Sequence, residues 1–291
     1  MKVKRSLMLM LFQFVVFLFF VNSCEMLDTS NSSEIPIYVN AGAYYDEDED
    51  FVFVNIMNSA SIPSVKVNDQ SLSRGMLDDY YLGFGGLIYW DYFDFGAGQN
   101  LSLEIDYKNQ DEENKTANAT TVVPGYFSIT SHPTGDEDDG DEDEFEIPWG
   151  QDLTITWTQS TGAEAYECYL CIEYATYNST TGDYDFKVVR IRITVTGTSV
   201  TFSANELFPS TVDINEVDYT YGDFDIWACS NKLEEGDVGN VTGDGIGYFN
   251  GYAWGDDLDF KVSGTSLAKK IENKSKDAKE KFLRIISSKC Q

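Results

Sequence analysis

The chain has 291 residues, of which 42% are hydrophobic and 14% aromatic, and its net charge at pH 7 is −29. This hydrophobic content suffices for packed cores and excludes a disordered chain. The charge is uneven, because residues 24–263 contain 9 Lys and Arg against 46 Asp and Glu, whereas residues 264–291 contain 8 against 3. A body this acidic repels phosphate groups, so we exclude nucleic acid as a partner.

The first 23 residues have the features of an export signal. Three cations in the first six residues precede an apolar run from Leu7 to Val21 that only Gln13 interrupts. This run is shorter than the ~20 residues that a membrane-spanning helix needs. We therefore predict a cleaved signal peptide over residues 1–23.

The end of this signal resembles the lipobox of bacterial lipoproteins. Val21-Asn22-Ser23-Cys24 matches that motif except at Asn22, where the family usually has a small residue. The resemblance implies a lipidated Cys24, a tether over residues 24–33 and attachment to a membrane through acyl chains. Glu25, in place of the Asp that marks inner-membrane retention in enteric lipoproteins, favours the bacterial outer membrane or the cell surface. Ordinary cleavage after Ser23, which gives a freely secreted chain, is the alternative.

The rest of the body is predicted to be all-β, with two tandem β-sandwiches at residues 34–124 and 125–263. Alternating apolar residues indicate half-buried strands in both modules, and Pro124-Gly125 marks the boundary between them. The strand patterns of the first module include Phe51/Phe53, Val65/Val67 and Leu101/Leu103/Ile105. Those of the second module cover Leu153–Trp157, Ala165–Tyr174, Lys187–Val195, Ser199–Phe202, Asp223–Ala228, Gly247–Asn250 and Leu258–Val262.

Three of these stretches in the second module resemble a fibronectin type III domain. In that family a Trp ends the second strand, a Tyr begins the third and an alternating run forms the sixth. Trp157, Tyr166 and the run from Phe224 to Ala228 match these features, with Phe224 where a Tyr is usual. The first module is similar to an Ig-like domain in its strand count and in a Val-x-Val-Asn phrase. The resemblance implies a spacer or binding scaffold, and such a fold assigns no activity by itself.

The last residues, 264–291, have a different pattern. Apolar residues recur at intervals of three or four among lysines, as at Leu267, Ile271, Ala278 and Phe282. This pattern predicts a basic amphipathic C-terminal helix. A partly unstructured tail is the alternative, and a folded helix could dock on the acidic body or on anionic lipid.

Cys168 and Cys171 are spaced like a redox pair, but they lie in a strand pattern. Residues three apart on a strand face opposite sides, so these two cannot easily bridge each other. With Cys168 facing the core, Cys171 faces outward, and on the fibronectin-like interpretation Cys229 faces outward on the neighbouring strand. We therefore predict a Cys171–Cys229 disulfide, which an oxidising compartment would permit.

An acidic loop at residues 135–146 partly matches an EF-hand. Counted from Gly135, the positions that supply ligands hold Glu137, Asp139, Asp141, Asp143 and Glu146. Position 1 is Gly where Asp is needed, and strands flank the loop. The candidates are a weak calcium site and a solvated acidic loop, and we expect no other cofactor.

Function is predicted to be non-enzymatic. His132, the only histidine, lies before a proline in a predicted turn, so His-dependent hydrolysis is not expected. Aromatic residues cluster at 80–93, and the candidates for stacking on sugar rings are Tyr81, Tyr89, Trp90 and Tyr92. We expect a surface lipoprotein that acts as an interaction or structural module, with another surface protein or a glycan as partner. A carbohydrate-binding lipoprotein is the alternative.

Overall fold

The computed structural model describes residues 36–45, 50–75, 86–133, 144–231 and 239–263. These residues form two compact units. The first contains the described residues up to Tyr126 together with Thr161–Glu164 and Cys229–Ala253. The second contains Phe127–Ser160, Ala165–Ala228 and the described residues from Trp254 onward. Almost all regular structure is strand, so the predicted all-β class is confirmed.

The first unit consists of two sheets. The larger has five strands in the order β17 (Gly245–Trp254), β1 (Ile37–Tyr45), β2 (Phe51–Met57), β6 (Leu87–Tyr92) and β5 (Ser73–Arg74). The smaller has the order β16 (Thr242–Gly243), β8 (Asn114–Val122), β7 (Asn100–Lys108), β3 (Ser64–Val67) and β4 (Gln70–Ser71). Pairing is antiparallel except between β1 and β17, which run parallel.

Alternating residues of both sheets form the core of this unit. Leu101, Leu103 and Ile105 of β7 are buried, as are Val65 and Val67 of β3, as their sequence alternation predicts. The intervening residues of β7 are partly or fully exposed. A half-buried strand of this kind has one face on the core and one away from it.

The second unit also has a five-stranded sheet and a smaller one. The order of the larger is β10 (Glu144–Pro148), β18 (Leu258–Ser263), β15 (Tyr219–Cys229), β12 (Ala165–Asn178) and β13 (Asp183–Val195). The order of the smaller sheet is β14 (Ser199–Phe202), β11 (Leu153–Trp157) and β9 (Ile129–Ser131). A one-turn helix, α1 (Ala204–Leu207), follows β14 in the chain. The side chain and backbone of Ser203 and the side chain of Glu206 form a capping box at α1.

Aromatic side chains dominate the core of the second unit. Trp157 and Tyr166, which match the fibronectin pattern, are buried with ring centroids 5.3 Å apart. Phe224, at the third matching position, is fully buried and lies 6.0 Å from Phe202, measured between ring centroids. The residues on which the resemblance was based therefore hold this core together.

The division of the chain differs from the predicted one at β17. The prediction assigned all of residues 125–263 to the second module, whereas 229–253 belongs to the first unit. The strand at Gly247–Asn250 was predicted, but it pairs with β1, which lies about 200 residues earlier in the chain. Alternation is a local signal and contains no information about such a distant parallel partner.

Several predicted features lie outside the described residues. They are the signal peptide over 1–23, the tether with Cys24, and the tail over 264–291. Within the described part of the chain, no helix has the length and apolar character needed to span a membrane.

Candidate binding surface

The outer face of the five-stranded sheet in the first unit consists of aromatic and amide side chains. Val39 of β1 and Val52 of β2 point into the core and are fully buried, so their neighbours along each strand point away from it. Cross-strand pairing arranges these outward residues in rows, Tyr252–Tyr44–Phe51–Tyr92, Asn250–Gly42–Phe53–Trp90 and Tyr248–Asn40–Asn55–Ile88. We call the six aromatic residues of the first two rows the aromatic face.

Three rings of the aromatic face form a continuous stack. The ring centroid of Tyr44 lies 4.7 Å from that of Phe51 and 5.0 Å from that of Tyr252, with 12° between the ring planes in both pairs. A Cβ on Gly42 would lie 2.6 Å from the Tyr44 ring, so the absence of a side chain at this position leaves room for the stack. Tyr44 is only 5% exposed. The stack is therefore a packed support and not an open surface.

Trp90 and Tyr92 are the exposed members of the aromatic face. Their exposed fractions are 38% and 53%, and their rings meet edge to face with centroids 5.4 Å apart. The Trp90 indole lies over Gly75, where an added Cβ would come within 2.4 Å of Trp90 Cδ1. The orientation of the indole thus depends on a glycine. Leaving two large rings in water forgoes hydrophobic stabilisation, which makes this pair a candidate binding site.

Asp91 lies between the two exposed rings in the chain, so its carboxylate is on the other face of β6, the face of its cross-strand partner Val52. Asp91 Oδ1 accepts a hydrogen bond from the backbone N–H of Tyr92 at 3.0 Å. Ser73 Oγ donates to Asp91 Oδ2 at 3.3 Å. The aromatic rings therefore offer apolar faces to a ligand, whereas the carboxylate lies on the other side of the strand.

The structure brings two of the four predicted sugar-binding residues together and rejects a third. Trp90 and Tyr92 lie on one face of β6, whereas Tyr89 points into the core, is 3% exposed, and donates from its hydroxyl to the Pro63 carbonyl at 2.8 Å. Burial raises the pKa of Tyr89. Its inclusion was wrong because consecutive strand residues point to opposite faces. Tyr81 lies outside the described residues.

The alternation of Phe51 and Phe53 predicted a half-buried strand but not which of its faces meets the core. Val52, Val54 and Ile56 fill the core, and the two phenylalanines lie on the other face. Residues 51–57 contain apolar side chains at both alternations, so the pattern alone could not distinguish the faces. The sequence did contain one signal. Strand β2 is apolar on both faces, whereas a sheet with one solvent-exposed face usually has polar residues on that face.

The predicted calcium ligands fall mostly outside the described part of the chain. Glu137, Asp139, Asp141 and Asp143 are not described. Glu146 lies in β10, is exposed, and has Lys261 of β18 as its cross-strand neighbour. The described residues contain no group of three side chains placed to hold a metal ion.

The predicted disulfide between Cys171 and Cys229 is absent, and the described cysteines are buried thiols. Both residues were expected to face outward, yet their exposed fractions are 0% and 1%. Strand β12 is covered on both faces from Ala165 to Cys168 and again from Leu170 to Ala175, so alternation did not indicate which thiols lie near the surface. Burial raises the pKa of Cys168 to about 12, which leaves this thiol protonated and unreactive at neutral pH.

Two carboxyl groups on the outer face of the sheet in the second unit have raised pKa values. Asp223 lies directly opposite Asp259 across β15 and β18, and Asp225, two residues further along β15, is 5% exposed. Burial, followed by the charges of Asp259 and Asp257, raises the pKa of Asp223 to about 7. Burial and the charge of Asp223 also raise the pKa of Asp225. With a pKa of about 7, the Asp223 carboxyl is partly protonated near neutral pH. Nothing in the sequence distinguishes these two residues among 49 acidic residues.

The only histidine is engaged locally. His132 Nδ1 lies 2.7 Å from the Pro133 carbonyl oxygen, and its ring centroid is 4.9 Å from that of Phe145. It is exposed, as expected for a histidine near a turn.

Comparisons with known proteins identify no family for this chain. No family model matches it, and no curated protein matches it. Among solved structures, a chain described as a "putative membrane anchored protein" from Corynebacterium diphtheriae is 10% identical, with a TM-score of 0.22 over 80% of this chain. This chain spans 60% of the length of that protein. The tandem Ig repeats of Dlar are also 10% identical, with a TM-score of 0.23, over 78% of this chain and 99% of the repeats.

Proposed function

We propose that the chain is a non-enzymatic, membrane-anchored surface protein whose first unit binds carbohydrate through Trp90 and Tyr92. The observation behind this proposal is the exposed edge-to-face pair of rings on the outer face of the sheet. One face of a pyranose ring is lined by C–H groups, and its hydroxyl groups lie around the edge. An aromatic ring complements the C–H face.

The size of the exposed patch favours a sugar over a protein partner. Two partly exposed aromatic side chains offer only about 100 Å² each. A stable protein interface needs about 800 Å² from each partner. The neighbouring rings Tyr44 and Phe53 are 5% and 9% exposed, so they add little open area. The patch matches one or two sugar units.

The signal sequence supports attachment to a membrane. The lipobox-like Val21-Asn22-Ser23-Cys24 follows a basic and then an apolar stretch, and a diacylated cysteine would supply the two chains that stable anchoring requires. We propose the bacterial outer membrane or the cell surface as its location.

A glycan array with matched variants tests the proposal. The full chain should bind a subset of glycans, and Trp90→Ala and Tyr92→Ala should each weaken that binding at least tenfold. Tyr177→Ala is the matched control, because Tyr177 is 48% exposed in the second unit. Its binding should equal that of the parent.

Two results would contradict the proposal. One is a folded parent chain that binds no glycan on the array. The other is glycan binding that survives Trp90→Ala and Tyr92→Ala unchanged. Intact mass of the chain from its own host would test the anchor separately, since acylation of Cys24 and loss of residues 1–23 would both be visible.

A further inference from the structure

A cleft opens in the first unit where β2 ends and β6 begins. Its volume is about 500 Å³, which lies within the range of small-molecule binding sites. Its walls are Ile56 and Leu87 at the strand ends, Gly86, and residues 58–62, which follow β2. Apolar side chains meet hydroxyl, amide and backbone groups in this lining, so the cleft suits an amphipathic ligand.

Hydrogen bonds hold the wall formed by residues 58–62 in place. Ser61 Oγ accepts a hydrogen bond from the backbone N–H of Lys108 at 2.8 Å and donates one to the Lys108 carbonyl at 3.2 Å. Ser59 Oγ donates to the Ser61 carbonyl at 2.7 Å. The cleft is therefore preformed, and a ligand loses little affinity to the ordering of this wall.

Ile62 places an apolar side chain in water on this fixed wall. It is 67% exposed, which is the largest exposed fraction among the large hydrophobic side chains of the described residues. The next residue is fixed as well, because the Pro63 carbonyl accepts a hydrogen bond from the Tyr89 hydroxyl at 2.8 Å. Single exposed apolar residues are common on protein surfaces, but this one forms part of a cleft, where a ligand would cover it.

A buried amide oxygen beside the cleft lacks a hydrogen-bond donor. Asn55 is 7% exposed, and its Oδ1 is buried without a hydrogen-bond partner. A Cβ on Gly86 would lie 2.2 Å from this oxygen, so the oxygen lies against the backbone of a residue that lines the cleft. Burying an acceptor without a donor is costly. A hydroxyl group of a ligand that reaches Asn55 past Gly86, where no side chain intervenes, would supply the missing donor.

We infer, on the basis of the proposed function, that this cleft is a second sugar subsite for the glycan that Trp90 and Tyr92 bind. Asn55 lies opposite Ile88 on the outer face of the sheet. Because Gly86 lies against Asn55, it shares that face of β6 with Ile88 and Trp90. Trp90 and Gly86 are four residues apart, which is ~13 Å along a strand. The ligand is therefore a linear oligosaccharide that is longer than a disaccharide.

Titration calorimetry on the full chain, with disaccharides and hexaoses of three series, tests the second subsite. The probes are cellobiose and cellohexaose, maltose and maltohexaose, and xylobiose and xylohexaose. The parent should bind one hexaose at least ten times more tightly than the disaccharide of the same series. Ala60→Trp, at an exposed position of the cleft, should reduce the hexaose affinity to that of the disaccharide, because the indole occupies the cleft. Gln70→Trp, at an exposed position of β4, is the matched control and should keep the parental preference.

A second variant removes apolar surface without filling the cleft. Ile62→Ser should lower the hexaose affinity several-fold and leave the disaccharide affinity unchanged, because the disaccharide binds at Trp90. Its stability should equal that of the parent, since Ile62 is exposed. An unchanged hexaose affinity in Ile62→Ser would overturn the second subsite.

The second subsite and the proposed function fail in different ways. Equal affinities for hexaose and disaccharide in the parent, or a preference that survives in a folded Ala60→Trp chain, would overturn the second subsite and leave Trp90 as a sugar site. Hexaose binding that is unchanged in Trp90→Ala would contradict the proposed function, and the shared ligand with it. A folded parent chain that binds none of the six probes would contradict both.

Discussion

In the first unit, the outer face of the five-stranded sheet presents rows of aromatic and amide side chains, whereas the outer face of the second unit's sheet combines aromatic rings with carboxylates and guanidinium groups. The inner faces of both sheets are apolar and buried, with aliphatic residues prominent in one and aromatic residues in the other. The inner faces are sufficient to explain why the strands pack. The outer faces are not dictated by the fold, so their difference indicates where each unit can bind something.

The largest expected effect concerns the parallel pairing that completes the sheet of the first unit. Gly247 has φ +124°, and a Cβ there would lie 1.9 Å from the Val39 carbonyl oxygen. Gly247→Val should lower the free energy of unfolding by about 3 kcal/mol or more, since it combines backbone strain with a steric clash. Chemical denaturation measures this loss. Gly197→Ala, where nothing lies within 4 Å, should change stability little.

If Gly247→Val were as stable as Gly197→Ala, β17 would not be part of the first unit. The assignment of residues 229–253 to that unit would then fail. The aromatic face would also lose Tyr252, which lies on β17.

The next effect is the pH dependence of stability that arises from two carboxyl groups of the second unit. The folded-state pKa of Asp223 is about 7 and that of Asp225 is also raised, whereas the unfolded value is ~3.9. The folded state therefore binds more protons, and stability should fall as pH rises from about 4 through about 7. The loss should be about 2 kcal/mol, discounted for the partial exposure of Asp223.

Denaturation curves recorded between pH 4 and pH 8 check this dependence. Asp225→Asn should be more stable than the parent at pH 8 and should show a flatter profile. Asp257→Asn, at an exposed position, is the control and should keep most of the slope. A stability that rises with pH over this range would show that the Asp223 and Asp225 carboxyl groups are stabilised as anions.

A smaller effect separates the two faces of β6. Tyr89→Phe removes the buried hydrogen bond to Pro63 and should cost about 1 kcal/mol of stability. Glycan binding should not change, because Tyr89 points into the core. If Tyr89→Phe lost glycan binding but kept its stability, the ligand would contact the Tyr89 face of β6, and our account would be contradicted.

The smallest effect on stability should come from Gly75→Val. The new side chain would displace the Trp90 indole, which packs against Gly75, while the core is untouched. We expect a change in stability within about 1 kcal/mol and a loss of glycan affinity close to that of Trp90→Ala. Parental affinity in a folded Gly75→Val chain would mean that the indole orientation does not matter for binding.

The sequence predicts a feature of this fold when the pattern that determines the feature lies within one short stretch of the chain. Strands such as β3, β7 and β11 follow from alternation, because each has one apolar and one polar face. The partner of β17 does not follow, because parallel pairing over about 200 residues leaves no local trace. The faces of β2 and β12 do not follow either, since both strands have side chains at both alternations that suit a buried position.

The sequence predicted only part of the candidate site, because only the part within one strand leaves a local pattern. Trp90 and Tyr92 stand out as aromatic residues at alternating positions of one short segment. The stacked support of Tyr44, Phe51 and Tyr252 comes from three strands, and only the cross-strand register brings them together. The raised pKa values of Asp223 and Asp225 depend on burial, which no spacing in the sequence reveals.

Fluorine NMR on the full chain labelled with 5-fluorotryptophan tests the central claim most directly. The chain has five tryptophans, and Trp90→Phe would assign the resonance of the exposed one. Maltohexaose, cellohexaose and xylohexaose would be titrated in turn, together with any glycan retained on the array. Our account predicts that a bound glycan shifts the Trp90 resonance and leaves those of the buried Trp157 and Trp227 in place. A bound glycan that shifts another tryptophan and not Trp90 would contradict it.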